Sequence, residues 1–251
     1  YISPAVAALA RPGEPLPLPK DVWHRFARVL RLPPGTAVTV FDGRGNAIHG
    51  TLDAQPFSCL KDVRLEHIPR LLPPLWVAQA VSRGPLLQEV ARRCTELGAN
   101  RFFWFHCQRC KVPPECFSQK QMQHLQSVTR DAARQSGRWH TPDMETLPTP
   151  MSFARLLRAC EDFSGTVLVG NPNADATLGR FFLDKDPPRT GVLVVVGPEG
   201  GLAPEELAAL DRVGVRGVRW APFVLRTESA AAAALAALHA FLSYQKPCKF
   251  A

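Results

Sequence analysis

The pattern of hydrophobic and polar positions changes after about the first third of the chain. In that first part, residues 21–32 carry apolar side chains at helical spacing, and residues 36–53 and 61–68 alternate apolar and polar side chains. This predicts one helix followed by a small β unit with a hairpin turn at Asp42-Gly43. The proline-rich residues 1–20 are expected to be irregular or extended, and residues 69–75 to form a linker.

Beyond the linker, short apolar runs alternate with helical patterns. The predicted strands cover residues 75–81, 101–106, 166–170, 191–197 and 218–225, and the predicted helices cover residues 85–98, 114–137, 152–163, 204–214 and 227–244. Because most of these strands are apolar throughout, both of their faces must be buried, which is typical of a parallel sheet covered by helices. The second part of the chain is therefore predicted to be an α/β domain.

The net charge of +8 is concentrated in one segment. Residues 92–138 contain nine Arg or Lys residues and three Asp or Glu residues. Such a concentration of positive charge suggests a polyanionic partner, usually a nucleic acid. The alternative is a surface whose charge only keeps the protein in solution.

The cysteines and the apolar segments limit the classes of protein to which this chain can belong. Seven cysteines with scattered spacing argue against the disulfide framework of a secreted protein. Cys107 and Cys110 form a Cys-x-x-Cys pair, but structural zinc needs four ligands, so His106 or His124 would have to help. We therefore expect no metal, and reduced thiols in the cytoplasm. The apolar segment 230–242 is shorter than the roughly 20 residues that cross a bilayer, so no membrane association is expected.

The sequence GPEGG at residues 197–201 follows a predicted buried strand. Ligands bind at the carboxyl ends of strands in open parallel sheets, and glycines allow a ligand to approach the backbone closely. Glu205 and Glu206 follow Pro204 at the start of the next helix, where they already complement its positive end. A phosphate group would therefore fit poorly, and the spacing matches neither dinucleotide-binding nor P-loop motifs. The alternative is a tight turn without a ligand.

Two more predicted strand ends have a similar composition. VGNPN occupies residues 169–173, and VLRTESA occupies residues 224–230. Thr227 is the expected N-cap of the last helix, with Glu228 in its first turn. Together with GPEGG, these segments could frame one pocket.

Several motifs together resemble the ribosomal RNA small subunit methyltransferase E (RsmE) family of the SPOUT class. GPEGG followed by an acidic helix, and LRTESA later in the chain, carry the resemblance. CTELGA at residues 94–99, DAARQSGR at 131–138 and RVLRLPPGTAVTVFDGRG at 28–45 match further segments in the same order. The resemblance thus covers nearly the whole chain.

The resemblance implies a fold and an activity. It implies a PUA-like RNA-binding β-barrel over residues 1–72 and a SPOUT α/β domain, with a parallel sheet and a deep trefoil knot, over residues 73–251. The implied activity is methylation of N3 of one uridine in 16S rRNA, near the decoding region of the small ribosomal subunit. The implied cofactor is S-adenosylmethionine, and the implied state is a cytoplasmic homodimer that binds this RNA rather than DNA or a membrane. The alternatives are a SPOUT methyltransferase acting on a ribose 2′-hydroxyl or on tRNA, and a non-catalytic RNA-binding assembly factor.

The resemblance also assigns residues. Those matching the cofactor loops are Val169, Gly170, Gly197, Pro198, Glu199, Gly200, Gly201, Ala221, Phe223, Val224 and Leu225. Arg226 would stabilise the developing uracil oxyanion or contact a phosphate, and Glu228 or Glu199 would accept the N3 proton, although either acid could instead be structural. The residues expected to contact RNA phosphates are Arg25, Arg28, Arg31, Arg44, Arg109, Arg134 and Arg138.

The chain departs from the family pattern at a few positions. Ser229 stands in place of Thr, Arg93 in place of Lys, and Trp220-Ala221 in place of Leu-Gly. The segment HCQRC at residues 106–110 also differs, although its Arg109 is retained.

Overall fold

The computed structural model describes residues 1–53, 59–145, 150–183 and 190–242, and the chain divides into two compact units. The first unit comprises Tyr1–Arg70 and Ala133–Thr141, and the second comprises Leu71–Ala132 and Pro142–Ala251.

The first unit is built on an antiparallel sheet. Its strands are β1 (Leu16–Pro17), β2 (Ala37–Phe41), β3 (Asn46–Leu52) and β4 (Cys59–His67), and its helices are α1 (Pro4–Ala7) and α2 (Lys20–His24), which continues as a π-helical turn (Arg25–Val29). The strand order is β1-β4-β3-β2, and Leu16, Val40, Ile48 and Leu60 are buried in its core. The predicted helix and hairpin are confirmed, whereas the N-terminal segment contains α1 and β1 instead of being irregular throughout.

The hairpin turn between β2 and β3 is closed by the side chain of Asp42. Its carboxylate accepts hydrogen bonds from the backbone N–H groups of Arg44 (2.7 Å) and Asn46 (3.2 Å). Gly43 and Gly45 adopt positive φ angles, which glycine reaches without steric cost. The Asp-Gly signal in the sequence therefore predicted this turn correctly.

The second unit alternates strands and helices. Its strands are β5 (Leu75–Ala80), β6 (Ala99–His106), β7 (Asp143–Met144), β8 (Met151–Ser152), β9 (Thr166–Gly170), β10 (Val192–Val196) and β11 (Arg216–Val218). Its helices are α3 (Gly84–Glu96), α4 (Gln119–Gln135), α5 (Phe153–Glu161), α6 (Leu178–Leu183), α7 (Pro204–Arg212) and α8 (Thr227–Leu238), and a 3-10 turn (Pro114–Cys116) precedes α4. The last residues of α4 are counted with the first unit.

These strands form a parallel sheet with a hydrophobic core on each face. The strand order is β11-β9-β10-β5-β6-β7, and β8 also pairs with β6. Successive residues of β10 enter different cores: Val194 packs with residues of α3 and α8, and Val195 packs with residues of α5 and α7. This alternation is the reason for the uninterrupted apolar runs. The predicted α/β architecture with a parallel sheet is confirmed.

One predicted strand is largely wrong. The apolar run at residues 218–225 suggested a strand, but β11 ends at Val218 and the following residues form a loop. β11 lies at the edge of the sheet, and Pro222 cannot continue the strand pairing because it lacks a backbone N–H. The side chains of Phe223 and Val224 are 82% and 78% exposed. Hydrophobic composition alone therefore indicated burial that does not occur.

Across the described residues, none of the helices combines the length and the apolar character needed to cross a membrane.

Candidate functional site

Three strand ends of the second unit meet at one edge of its sheet. β9 ends at Gly170, β10 at Val196 and β11 at Val218, and the order β11-β9-β10 makes the three strands neighbours. Because parallel strands end at the same edge of a sheet, the segments that follow them lie close together.

These segments surround a cavity of about 810 Å³. Its volume lies within the range of roughly 300–1,000 Å³ that is usual for small-molecule sites. Its wall comprises Leu86, Arg109, residues 170–173, residues 196–202, Leu207, residues 218–221, residues 223–228 and Ala230. The prediction that the three segments frame one pocket is therefore confirmed, although residues 223–226 belong to a loop and not to a strand end.

The Gly-Pro-Glu-Gly-Gly segment forms a tight turn in the cavity wall. The Gly201 N–H donates to the Pro198 carbonyl (2.8 Å), and Gly201 has a φ of +69°. A Cβ on Gly197 would lie 3.1 Å from both Cγ and the backbone N of Leu202. The turn therefore depends on glycine at its beginning and near its end.

Glu206 holds the start of α7 in place. Its carboxylate accepts hydrogen bonds from the backbone N–H of Ala203 (2.9 Å) and from the backbone N–H of Gln108 (2.8 Å). The helix start that could attract an anion thus already has a carboxylate partner. The sequence analysis predicted this use of the acidic residues, but not the contact with Gln108.

Arg109 contacts the Gly-Pro-Glu-Gly-Gly turn. Its guanidinium donates to the Gly200 carbonyl (3.1 Å) and to the Leu202 carbonyl (3.4 Å). The sequence analysis predicted an RNA contact for Arg109. The structure places this exposed side chain in the cavity wall, where it supports the glycine turn.

Trp220 and Gly170 are in close contact in another part of the wall. An ideal Cβ on Gly170 would lie 2.4 Å from the indole Nε1 and 3.0 Å from Cε2 of Trp220. Real Cβ atoms do not approach other atoms so closely, so only glycine fits beside this indole. The unusual Trp220 noted in the sequence is thus accommodated by Gly170.

Thr227 links two parts of the wall to strand β5 through its hydroxyl group. The hydroxyl donates to the Gly197 carbonyl (2.9 Å) and accepts from Nε2 of Gln79 (3.0 Å), which lies in β5. Both side chains are buried. The prediction that Thr227 is the N-cap is wrong: α8 begins at Thr227, Arg226 occupies the cap position, and the hydroxyl is used in the tertiary contact.

Thr227→Val is expected to lower the free energy of unfolding by about 1–3 kcal/mol, because the substitution leaves the partly buried Gly197 carbonyl without this donor and removes a partner of the buried Gln79. Chemical denaturation of the purified chain measures the change. Thr227→Ser is the matched control, since it retains the hydroxyl group. Equal stability of the Val and Ser variants would show that the hydroxyl does not hold the wall together.

The predicted catalytic residues lie around the same cavity. Arg226, Glu228 and Glu199 all contribute to its wall. The guanidinium of Arg226 lies 3.9 Å from the Glu228 carboxylate, and their side chains are 87% and 16% exposed, respectively. The exposed guanidinium can reorient without losing a buried contact, whereas the carboxylate is held close to the wall.

All the predicted cofactor residues except Val169 line the cavity. Val169 is instead buried in the hydrophobic core beneath the strand end. Sequence reasoning missed Leu86, Leu207, Arg219 and Ala230, which are cavity-lining residues without a recognisable motif, and Gln79, which acts through Thr227.

The predicted RNA-contacting residues other than Arg109 belong to the first unit: Arg25, Arg28, Arg31, Arg44, Arg134 and Arg138. Arg28, Arg31 and Arg44 are exposed, whereas Arg138 is partly buried. Burial, together with the nearby charge of Arg70, lowers the pKa of Arg138 to about 10. Arg138 nevertheless remains protonated at neutral pH.

In the described part of the chain, no group of three His, Cys, Asp or Glu side chains is arranged to hold a metal ion.

Comparison with known proteins finds relatives of this chain among RNA methyltransferases. The family described as RNA methyltransferase domain matches residues 70–239. A ribosomal RNA small subunit methyltransferase E from Mycobacterium bovis is 33% identical over 223 residues, which cover 87% of this chain and 83% of that protein. The protein of the same name from Bacillus subtilis is 26% identical and covers 88% of this chain and 87% of its own length.

A solved structure shares the architecture. It is a ribosomal RNA small subunit methyltransferase E from Neisseria gonorrhoeae bound to S-adenosyl methionine. The two proteins are 25% identical, the TM-score is 0.77, and the match covers 92% of this chain and 93% of that one.

Proposed function

We propose, from the premise that this chain belongs to the ribosomal RNA small subunit methyltransferase E family, that it methylates small-subunit ribosomal RNA with S-adenosylmethionine as the methyl donor. The observation that carries this proposal is the cavity at the three strand ends. Its wall contains nearly all the segments that the sequence matched to the family's cofactor loops.

The residues present fit this cofactor. The volume of about 810 Å³ accommodates a nucleoside with an amino acid attached. The Gly197–Gly201 turn offers backbone groups for hydrogen bonds with little side-chain bulk. The carboxylate of Glu206 already occupies the start of α7, which favours a cofactor without phosphate over a dinucleotide. We assign the cofactor to the walls formed by residues 170–173, 197–202 and 219–225.

We propose N3 of a uridine in 16S rRNA, near the decoding region, as the acceptor atom. N3 of uracil carries a proton, which must leave as N3 becomes a nucleophile. Glu228 or Glu199 accepts this proton, and the guanidinium of Arg226 stabilises the negative charge that develops on the uracil oxygen. Bound S-adenosylmethionine supplies an electrophilic methyl group on a sulfonium. The wall contributes by holding the acceptor base in line with this group.

The family also supports proposals about architecture. We assign residues 1–72 to a PUA-like barrel that binds RNA, and residues 73–251 to a SPOUT methyltransferase domain with a deep trefoil knot. The antiparallel sheet of the first unit and the parallel sheet of the second support this division, although residues 133–141 group with the first unit. We further propose that the protein acts as a cytoplasmic homodimer, which light scattering on the purified chain would test.

The test of the proposed function is methylation of small ribosomal subunits that lack the modification. The purified chain is incubated with these subunits and labelled S-adenosylmethionine, and the nucleosides are analysed by mass spectrometry. We expect 3-methyluridine. A 2′-O-methylated nucleoside, or a product found only in tRNA, would support a different RNA acceptor. Cofactor binding without any methylated RNA would favour a non-catalytic assembly factor.

The arginines of the first unit are expected to make the RNA affinity sensitive to salt. For each of Arg28→Ala and Arg44→Ala, the slope of log affinity against log salt concentration should decrease by roughly one, because one phosphate contact is lost. Arg158→Ala, an exposed position in α5, is the control and should leave the slope unchanged. Binding of an rRNA fragment at several salt concentrations measures the slopes. Unchanged slopes in both variants would contradict the assignment of these residues.

A further inference from the structure

Two cysteines lie on a turn that follows β6. The backbone N–H of Cys110 donates to the Cys107 carbonyl (3.1 Å), which closes the turn. The two Sγ atoms are 3.4 Å apart, and the backbone N–H of Cys107 is 3.4 Å from Sγ of Cys110. A turn of this kind keeps its first and last Cα atoms within about 7 Å, close to the range that a disulfide requires. The two thiols can therefore be linked by a small local movement.

The two residues between these cysteines hold the cofactor wall. The backbone N–H of Gln108 donates to the carboxylate of Glu206, and the guanidinium of Arg109 donates to the carbonyls of Gly200 and Leu202. Any movement of the Cys107–Cys110 turn is therefore transmitted to the glycine turn and to the start of α7.

The two thiols have different environments. The side-chain hydrogen bond with Cys107 and the hydrogen bond from the Cys107 backbone N–H lower the pKa of Cys110, although burial and the nearby carboxylates of Glu206 and Glu199 oppose this effect. The hydrogen bond to Cys110 and burial raise the pKa of Cys107. Cys110 is also partly exposed, whereas Cys107 is buried. Cys110 is therefore the thiol that reacts first, and Cys107 is the one that completes the bond.

Other cysteines of the described residues lack these properties. Cys94 and Cys160 are buried, Cys59 is partly exposed, and burial raises the pKa of all three thiols. Cys116 is exposed on the 3-10 turn and lies outside the Cys107–Cys110 turn. Cys116 therefore provides a natural control.

We propose that Cys107 and Cys110 form a reversible disulfide that distorts the wall of the cavity and weakens cofactor binding. A disulfide brings the sulfur atoms from 3.4 Å to about 2.0 Å, so the turn that carries Gln108 and Arg109 must change its shape. The hydrogen bonds to Glu206, Gly200 and Leu202 are then strained or broken. The effect on activity rests on the proposed function, whereas the disulfide itself does not.

The oxidant is a low-molecular-weight disulfide such as glutathione disulfide. The Cys110 thiolate attacks one of its sulfur atoms, the S–S bond breaks, and one thiolate leaves. Cys107 then loses its proton and attacks the Cys110 sulfur of the mixed disulfide, which releases the second thiolate. Two electrons pass from the cysteine pair to the small disulfide, and the two thiol protons end on the released thiolates.

The experiment compares the full chain equilibrated with reduced or with oxidised glutathione. Differential alkylation and mass spectrometry identify the linked cysteines, and calorimetry with S-adenosylhomocysteine measures the affinity of the site. We expect a Cys107–Cys110 bond that dithiothreitol reverses, and about a tenfold weaker affinity in the oxidised protein. Cys107→Ser and Cys110→Ser should each abolish the response, whereas Cys116→Ser should retain it.

Amide hydrogen exchange of residues 198–207 gives a readout that does not depend on the ligand. Oxidation should accelerate exchange in this segment of the wild type but not of Cys110→Ser. Absence of the intramolecular disulfide, or a disulfide that changes neither affinity nor exchange, would overturn the proposal. If the reduced protein binds no cofactor, the proposed function is wrong. The alkylation and hydrogen-exchange results still test whether the disulfide forms and distorts the wall.

Discussion

Gly170→Ala is expected to weaken binding of S-adenosylhomocysteine by about 10–100-fold. The new Cβ would lie 2.4 Å from Nε1 of Trp220, so the indole must move. Trp220 is part of the cavity wall, so its displacement changes the space that the cofactor occupies. The expected loss of affinity corresponds to about 1.4–2.7 kcal/mol of binding free energy. Calorimetry measures the affinity directly.

Gly217→Ala is the matched control for this substitution. Gly217 lies in the neighbouring strand β11, and a Cβ there would be 3.6 Å from Cβ of Asn171, an ordinary contact. Its affinity should remain close to that of the wild type. The double variant Gly170→Ala with Trp220→Leu should recover part of the affinity, because the smaller side chain leaves room for the new methyl group. Wild-type affinity in Gly170→Ala alone would show that the indole does not shape the site.

Arg226→Ala is expected to reduce kcat by about 10²–10³-fold, because in the proposed mechanism the guanidinium stabilises the charge that develops on the uracil oxygen. The side chain is 87% exposed, so its removal leaves the fold intact and should not change the melting temperature. Single-turnover methylation of small ribosomal subunits at saturating cofactor measures the effect on the chemical step.

Arg226→Lys separates the two roles considered for this residue. A lysine retains the charge but not the planar pair of donors, so it should recover only a small part of kcat if the guanidinium acts on the base. Recovery of RNA affinity by lysine, together with an alanine variant that changes KM but not kcat, would instead identify Arg226 as a phosphate contact.

Most of the second unit could be predicted from local patterns. The strands β5, β9 and β10 are apolar at nearly every position because both of their faces are covered. The error at residues 218–225 arose from the same rule, since an exposed apolar loop has the composition of a buried strand. The exposure of Phe223 and Val224 depends on their position beside an edge strand, which no local pattern reports.

Part of the candidate site could also be predicted, but from local backbone conformation instead of from the burial of apolar side chains. Glycine, proline and acidic residues at a strand end have local conformational requirements, so the turn at residues 197–201 could be identified from the sequence. The role of Thr227 could not. From the sequence, the Thr227 hydroxyl is expected to cap the helix by accepting a hydrogen bond from a backbone N–H in its first turn. In the structure, Gln79 and Gly197 lie close enough to bond the hydroxyl, so it makes a tertiary contact instead.

The sequence by itself determined the parallel α/β architecture, the family and the segments that form the cavity, because these depend on burial and on backbone conformation within a few residues. The tertiary structure alone decided which side chains hold the cavity together. Gln79 and Thr227 are separated by 148 positions, and Arg109 and Gly200 by 91. Such contacts follow from the order of strands in the sheet, and hydrogen bonds between distant segments leave no periodic signal along the chain.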